Sequence, residues 1–293
     1  MMTKNTQATL NDLRWLLTSP YLIGCHPPLF EKWAANYPSW VTSLEKNTPE
    51  LPAELTDSRK PPIGRYFEKL VFFWLQTQTD IEALHHNIPV TEAKRTIGEF
   101  DILFSAAKLS FHWELSVKFY LGTDDRTKLH NWIGPMARDR FDIKLAKLSG
   151  QQLRLSRNEF GKRCLEKMGM NQISAHELVK GRLFHPFDDW QKINFIKPIG
   201  VNPHHDKGWW LHQDQIEKLL EFDTVQWALL EKADWFAPIK PSTKVGLRTS
   251  AQVVALATKH FTSNANPLLV AAINTHGSEV HRGFIQPNGW PHS

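Results

Sequence analysis

Leu109-Ser110-Phe111-His112-Trp113-Glu114-Leu115-Ser116-Val117-Lys118-Phe119-Tyr120-Leu121 alternates without a break. Leu109, Phe111, Trp113, Leu115, Val117, Phe119 and Leu121 take one parity, and Ser110, His112, Glu114, Ser116, Lys118 and Tyr120 take the other. Successive side chains of a strand point to opposite faces, so this is one long strand with an apolar face and a chemical face. Upstream, Gly98-Glu99-Phe100-Asp101-Ile102-Leu103-Phe104 alternates too. Its pattern assigns Phe100, Ile102 and Phe104 to an apolar face and Glu99 and Asp101 to the other. The Ser105-Ala106-Ala107-Lys108 link makes the two runs a hairpin.

Two strands that turn acids and a lysine to one side point to a metal-dependent phosphodiester site. If Phe104 pairs with Leu109, Asp101 faces His112 and lies diagonal to Glu114, about 7–8 Å away between Cα atoms. A register shift of two residues puts Asp101 directly opposite Glu114. Either arrangement brings both carboxylates within reach of one hard, oxygen-seeking cation. Such a cation draws charge from phosphoryl oxygens and acidifies a bound water.

The 293-residue chain is 41% hydrophobic and 22% charged, ordinary for a globular protein, with a formal net charge of +5. The positive excess is local. Arg126 to Lys167 holds eleven Lys/Arg against four Asp/Glu. A basic block next to an acid site suits a phosphate backbone, and a solvated helix face would read the same way. Cys25 and Cys164 are the only cysteines, which excludes a disulfide framework and a Cys-rich zinc site. The start of the chain carries no targeting signal and no run is long enough to span a bilayer, so the expected location is the cytoplasm, away from membranes.

Asn11 to Ser19 reads as a helix, and His26 to Pro62 as proline-broken helical decoration. Gly64 to Gln78 reads as a strong helix burying Phe67, Leu70, Val71 and Trp74. Glu68 is unusual there, because its same-side neighbours Val71, Phe72 and Leu75 are apolar. A carboxylate among them needs a cation or a metal, or pairs with Arg65 one turn back. Ile81 to Val90 is a first strand. Helices are expected at Ala137 to Leu148, at Asn158 to Met168 and from Asp223 to Trp235, where Pro238 and Pro241 stop the last. Further strands are expected at Leu178 to His185 and Gly208 to His212, a last helix at Ala251 to His260, and an edge strand at Glu279 to Gln286. His185, His204, His205 and His212 match no familiar zinc spacing. At most one of Trp209 and Trp210 faces outward to stack a base.

The order of elements and acids from Glu68 to about Lys147 resembles the PD-(D/E)XK nuclease superfamily. Over most of its length the chain resembles an uncharacterised bacterial family, domain of unknown function 1853, assigned to that superfamily. The marks are Asn11-Asp12-Leu13-Arg14-Trp15-Leu16-Leu17 with Ser19-Pro20, Gly64-Arg65-Tyr66-Phe67-Glu68, Gly98-Glu99-Phe100-Asp101, His112 to Phe119, Lys180-Gly181-Arg182-Leu183-Phe184, and Gly208-Trp209-Trp210-Leu211. The resemblance implies an α/β fold: a restriction-endonuclease-like αβββαβ core with a mixed sheet at 61–185, an N-terminal helical extension at 1–60 and α/β decoration at 186–293. It implies magnesium or manganese held by Glu68, Asp101 and Glu114, no small-molecule cofactor, and cleavage of nucleic acid, DNA rather than RNA.

Two positions depart from the pattern. Phe100 replaces a proline that the chemistry does not need. Ser116 stands where a lysine belongs, and Lys118, one pleat further on about 7 Å away, is the expected substitute. Arg138, Arg140, Lys144 and Lys147 are the expected backbone contacts. His112, Glu99 and Ser116 are secondary candidates. The alternatives are a nucleic-acid-binding module without catalysis and a protein-interaction scaffold whose acids only form ion pairs.

Overall fold

Leu109–Gly122 does form one strand, paired antiparallel with Arg95–Ala106. The turn is only Ala107-Lys108, both at positive φ (51° and 64°), the geometry whose twist matches that of the strands. The computed structural model describes residues 4–24, 27–47, 51–57, 61–192, 196–240 and 246–292, so Cys25, His26 and Pro241 lie outside the described residues. The first half contains α1 (Lys4–Thr18), α2 (Phe30–Ala34), α3 (Tyr37–Asn47), α4 (Ala53–Thr56), α5 (Ile63–Gln76), β1 (Ile81–Glu92), β2 (Arg95–Ala106), β3 (Leu109–Gly122) and β4 (Trp132–Ile133). The second contains α6 (Phe141–Lys147), α7 (Glu159–Lys167), β5 (Ile173–Pro186), β6 (Asp206–His212), β7 (Gln226–Leu230), β8 (Leu247–Arg248), α8 (Ser250–Phe261), β9 (Leu268–Ile273) and β10 (Glu279–Gln286). The fold is α/β. Its mixed ten-stranded sheet has the order β1-β2-β3-β5-β6-β10-β9-β7-β8, with β4 beside β3. Among the described residues no helix is long and apolar enough to cross a membrane.

The chain divides into two compact units. One comprises Asn5–Val117 and Ile143–Lys180, and the other Met1–Lys4, Lys118–Asp142 and Gly181–Ser293.

The first unit covers both faces of its strands. On one face Trp33 packs on Phe104 (5.7 Å between ring centres) and Trp113 (6.4 Å), and Phe30 packs on Trp74 of α5 (5.0 Å). On the other face Val90, Phe100 and Leu103 pack with Leu155, Leu165 and Met170. Phe100 and Leu103 are three apart yet share a face, so the alternation of β2 breaks between them. This corrects the assignment of Phe100 to the same face as Ile102 and Phe104. Its ring sits edge-on to His112, 4.7 Å away.

Helix α7 is capped as its sequence dictates. Asn158 accepts the Phe160 N–H (2.8 Å), and Gly169 terminates the helix at φ 71°. Helix α6 departs from expectation. Ala137 sits at φ 54°, which no helix tolerates, so the helix starts at Phe141 and runs on through a wide π turn at Leu148–Gln152.

The second unit contains three corrections. Asp223 to Trp235 is not helical: Gln226–Leu230 is β7, held between β8 and β9. Trp227 and Leu230 fit either period, and pairing with the apolar Leu268–Ile273 strand decides for extended backbone. β10 is not an edge strand, because it lies between β6 and β9. Neither Trp209 nor Trp210 faces outward. Trp209 packs with Trp227, Val253 and Val270, and the Trp210 indole donates to the Gly122 carbonyl (3.0 Å). Arg282 pins the connection after β7, donating to the carbonyls of Asp234, Trp235 and Ala237 and to both oxygens of Glu279.

Gly161 of α7 is required by close approach, since a Cβ there would collide with the Leu155 carbonyl oxygen. Gly161→Ala is expected to cost at least about 2 kcal/mol. Gly98→Ala, which meets only the mobile methyls of Leu155, costs less. Urea denaturation of the two variants checks the order.

Candidate metal centre

The register decides the site. Ile102 pairs with Trp113, Leu103 with His112 and Phe104 with Phe111. The first register considered, Phe104 with Leu109, is therefore not the one adopted. The two-residue shift is, and one step further along it Asp101 stands opposite Glu114. The regular ladder stops at Ile102. Beyond it the Leu115 N–H donates to Asp101 Oδ2 (2.8 Å), so a side-chain carboxylate satisfies a backbone donor of β3. On the other side β1 pairs His86 with Ile102 and Ile88 with Phe100, and Asn87 between them sits at φ 52°. Both strands bend at the level of Asp101.

Glu114 is fully buried, and both its oxygens are held. Oε1 contacts His112 Nε2 at 2.6 Å, and Gln152 Nε2 donates to Oε2 at 2.7 Å. His112 is fully buried, and burial pushes its pKa down to about 4. It is therefore neutral, and Nε2 donates to Glu114 when that carboxyl is ionised and accepts from it when it is protonated. Gln152 escapes a reading of the sequence, because the helix expected at Ala137 to Leu148 ends short of it. No local pattern announces the π turn that carries it inward.

Glu68 projects from α5 half-buried. Burial and then the charge of Asp101 raise its pKa to about 7, while Arg65 pulls it down. Burial and then Glu114 raise Asp101 to about 7, against the Leu115 hydrogen bond. Burial raises Glu114 to about 7 against its hydrogen bonds. The two carboxyls are coupled unequally: Glu114 pushes Asp101 up, and Asp101 pulls Glu114 down. Glu99 is exposed, and its charge also reaches Glu68. Glu68 and Asp101 line one small cleft with Arg65, Phe72, His86 and Asn87.

Three acids that resist ionisation, one buried and two half-buried, form a donor set suited to a hard divalent cation. As placed, no group of three or more His, Cys, Asp or Glu among the described residues is drawn together tightly enough to grip an ion. Ser116 is half-buried and carries no charge. Lys118 follows on β3, also half-buried. Of the expected backbone contacts, Arg138 and Lys147 are exposed, Lys144 is half-buried, and exposed Arg140 is bonded through two nitrogens to Asp142 (3.0 and 2.8 Å). In the second unit His185 and His205 lie 5.9 Å apart between ring centres, His205 bonds the Asn202 carbonyl and His212 the Pro287 carbonyl.

The family model described as "Domain of unknown function (DUF1853)" matches residues 11–285. No curated protein and no solved structure matches the chain.

The three acids bind protons more readily folded than unfolded. Folded stability therefore falls as pH rises from about 4 to about 7. Asp101→Asn keeps an oxygen for the Leu115 N–H and removes the charge. It is expected to stabilise the protein at pH 8 by about 2 kcal/mol, with the gain shrinking at pH 5. Urea denaturation at both pH values measures this.

Proposed function

The chain belongs to the DUF1853 family, and we propose that it is a metal-dependent phosphodiesterase acting on nucleic acid, DNA rather than RNA, of the PD-(D/E)XK type. The observation that carries this reading is the β2–β3 register, whose continuation past Ile102 and Trp113 sets Asp101 opposite Glu114, with Glu68 coupled to Asp101 from α5. The succession of α5, three antiparallel strands, helices and β5 agrees with the superfamily's αβββαβ order.

Asp101, Glu114 and Glu68 are the ligands for magnesium or manganese in this reading. A cation held there would supply positive charge to the phosphoryl oxygens and acidify a bound water. His112 and Gln152 hold the Glu114 carboxylate in one orientation, the service that outer-shell hydrogen bonds perform for ligating carboxylates. Lys118 is the residue assigned to orient the water. Exposed Arg138 and Lys147, with Arg140 and Lys144, are assigned to the substrate backbone. No small-molecule cofactor enters this reading.

One observation favours a second reading, a nucleic-acid-binding module without catalysis. Ser116 leaves the strand without a charge two residues after Glu114.

The purified protein is expected to nick plasmid or degrade single-stranded DNA in magnesium or manganese. Asp101→Asn and Glu114→Gln are expected to lose at least about 100-fold in rate. Manganese is expected to raise the melting temperature of the wild type at pH 8 and not that of Glu114→Gln. Salt-sensitive DNA binding without turnover supports the second reading, and turnover that survives both substitutions excludes this site.

A further inference from the structure

Ser116 takes the place of the strand lysine and Lys118 is assigned to the water, so a charge for the phosphate itself has to come from elsewhere. Lys69 lines the same cleft, but its ammonium is tied to Glu54 at 2.7 Å. Lys180 is fully buried, donates to the Ser19 carbonyl and lies 5.0 Å over the Phe30 ring. Arg65 is different. It precedes Glu68 by three residues on α5, which places the two side chains on one helix face. It lines the cleft that Glu68 and Asp101 line, it is exposed to solvent, and its charge acts on Glu68. Phe72, one turn beyond Glu68 on α5, and His86 of β1 line the cleft too, their rings 4.0 Å apart between centres.

We propose that Arg65 is a catalytic residue: it grips the scissile phosphodiester in the cleft between α5 and the β1–β2 hairpin and supplies the positive charge missing at Ser116. This inference rests on the nuclease reading above. A guanidinium offers a planar fork of N–H donors that matches two non-bridging phosphate oxygens, a geometry an ammonium cannot present. Its place at the mouth sets a phosphate's oxygens toward Arg65 and the acids behind them. Negative charge that develops on those oxygens during attack is met by a fixed cation, the kind of stabilisation worth about 100-fold or more in rate. No bond to Arg65 forms or breaks.

The test is single-turnover cleavage of a fluorescent DNA oligonucleotide in manganese by the wild type, Arg65→Ala, Arg65→Lys and Lys69→Met. Manganese affinity is read in parallel by electron paramagnetic resonance. Arg65→Ala is expected to slow cleavage about 100-fold, with manganese bound at least as tightly as in the wild type, since a cation beside Glu68 has been removed. Arg65→Lys is expected to recover part of the loss, and Lys69→Met to stay within about threefold of the wild type. The inference is overturned if Arg65→Ala cleaves within threefold of the wild type. It is also overturned if Arg65→Ala loses manganese in step with cleavage, or if Lys69→Met falls as far. A wild type that binds manganese and cleaves nothing overturns the nuclease reading itself, and the inference with it.

Discussion

The hydrogen bond from the Leu115 backbone to the Asp101 carboxylate is the constraint on which the first unit turns. A ladder that ran on regularly would have used a carbonyl there and left Asp101 on a plain strand face. With the carboxylate as acceptor, the β2–β3 ladder ends at Ile102, the alternation of β2 breaks, and Asn87 of β1 takes up a left-handed conformation at the same level. The bend aims an acid at Glu114 and into the cleft under α5. It is sustained on both sides by packing: Trp33, Phe104 and Trp113 on one face, Phe100 with Leu155 on the other. Bulged or broken ladders that re-aim a side chain are a recurring device beside functional sites.

Electrostatics give that geometry its chemical direction. Burial raises all three carboxyl groups, and beyond burial Asp101 raises Glu68, Glu114 raises Asp101 and Glu68 raises Glu114, so the native fold carries a local cost at neutral pH. A structure built only for stability gains nothing from such a cluster. One guanidinium, that of Arg65, partly offsets it for Glu68. The Gln152 hydrogen bond favours the ionised form of Glu114 without balancing its charge. A bound divalent cation would remove that cost, which is the electrostatic support for the proposed ligand.

The sequence blocks that mark the family divide between chemistry and scaffolding. In the first unit Tyr66 donates to Asp12 (2.9 Å), Arg14 to Asn11 (3.1 Å) and Lys180 to the Ser19 carbonyl, while the Leu22 N–H meets the Val179 carbonyl (2.7 Å). These bonds stitch α1 and its exit to α5 and β5. They hold the helix that carries Glu68, and they explain why polar residues sit buried in blocks that do no chemistry of their own. Gly161 belongs with them, because its missing side chain lets α7 approach Leu155, three residues past Gln152.

Local pattern was enough for the hairpin, for α5 and for α7 between Asn158 and Gly169, since alternation, a 3.6-residue stripe, a cap and a glycine stop act within a few residues of themselves. It also singled out Glu68, Asp101 and Glu114, because acids among apolar neighbours are costly wherever they fold. Register was beyond its reach: a shift of two residues preserves every inward and outward assignment, so alternation is blind to it, and cross-strand packing of Phe104 on Phe111 chose between the two. The same holds for Gln152, carried to Glu114 by a π turn, and for the face of Phe100, reversed by the bend at Asp101. The placement of β7 and β10 was likewise settled by partners distant in the chain. Which residues can do chemistry is a property of side chains and near neighbours; which of them meet is set by strand pairing and packing over long sequence separations, and only the folded chain contains that information.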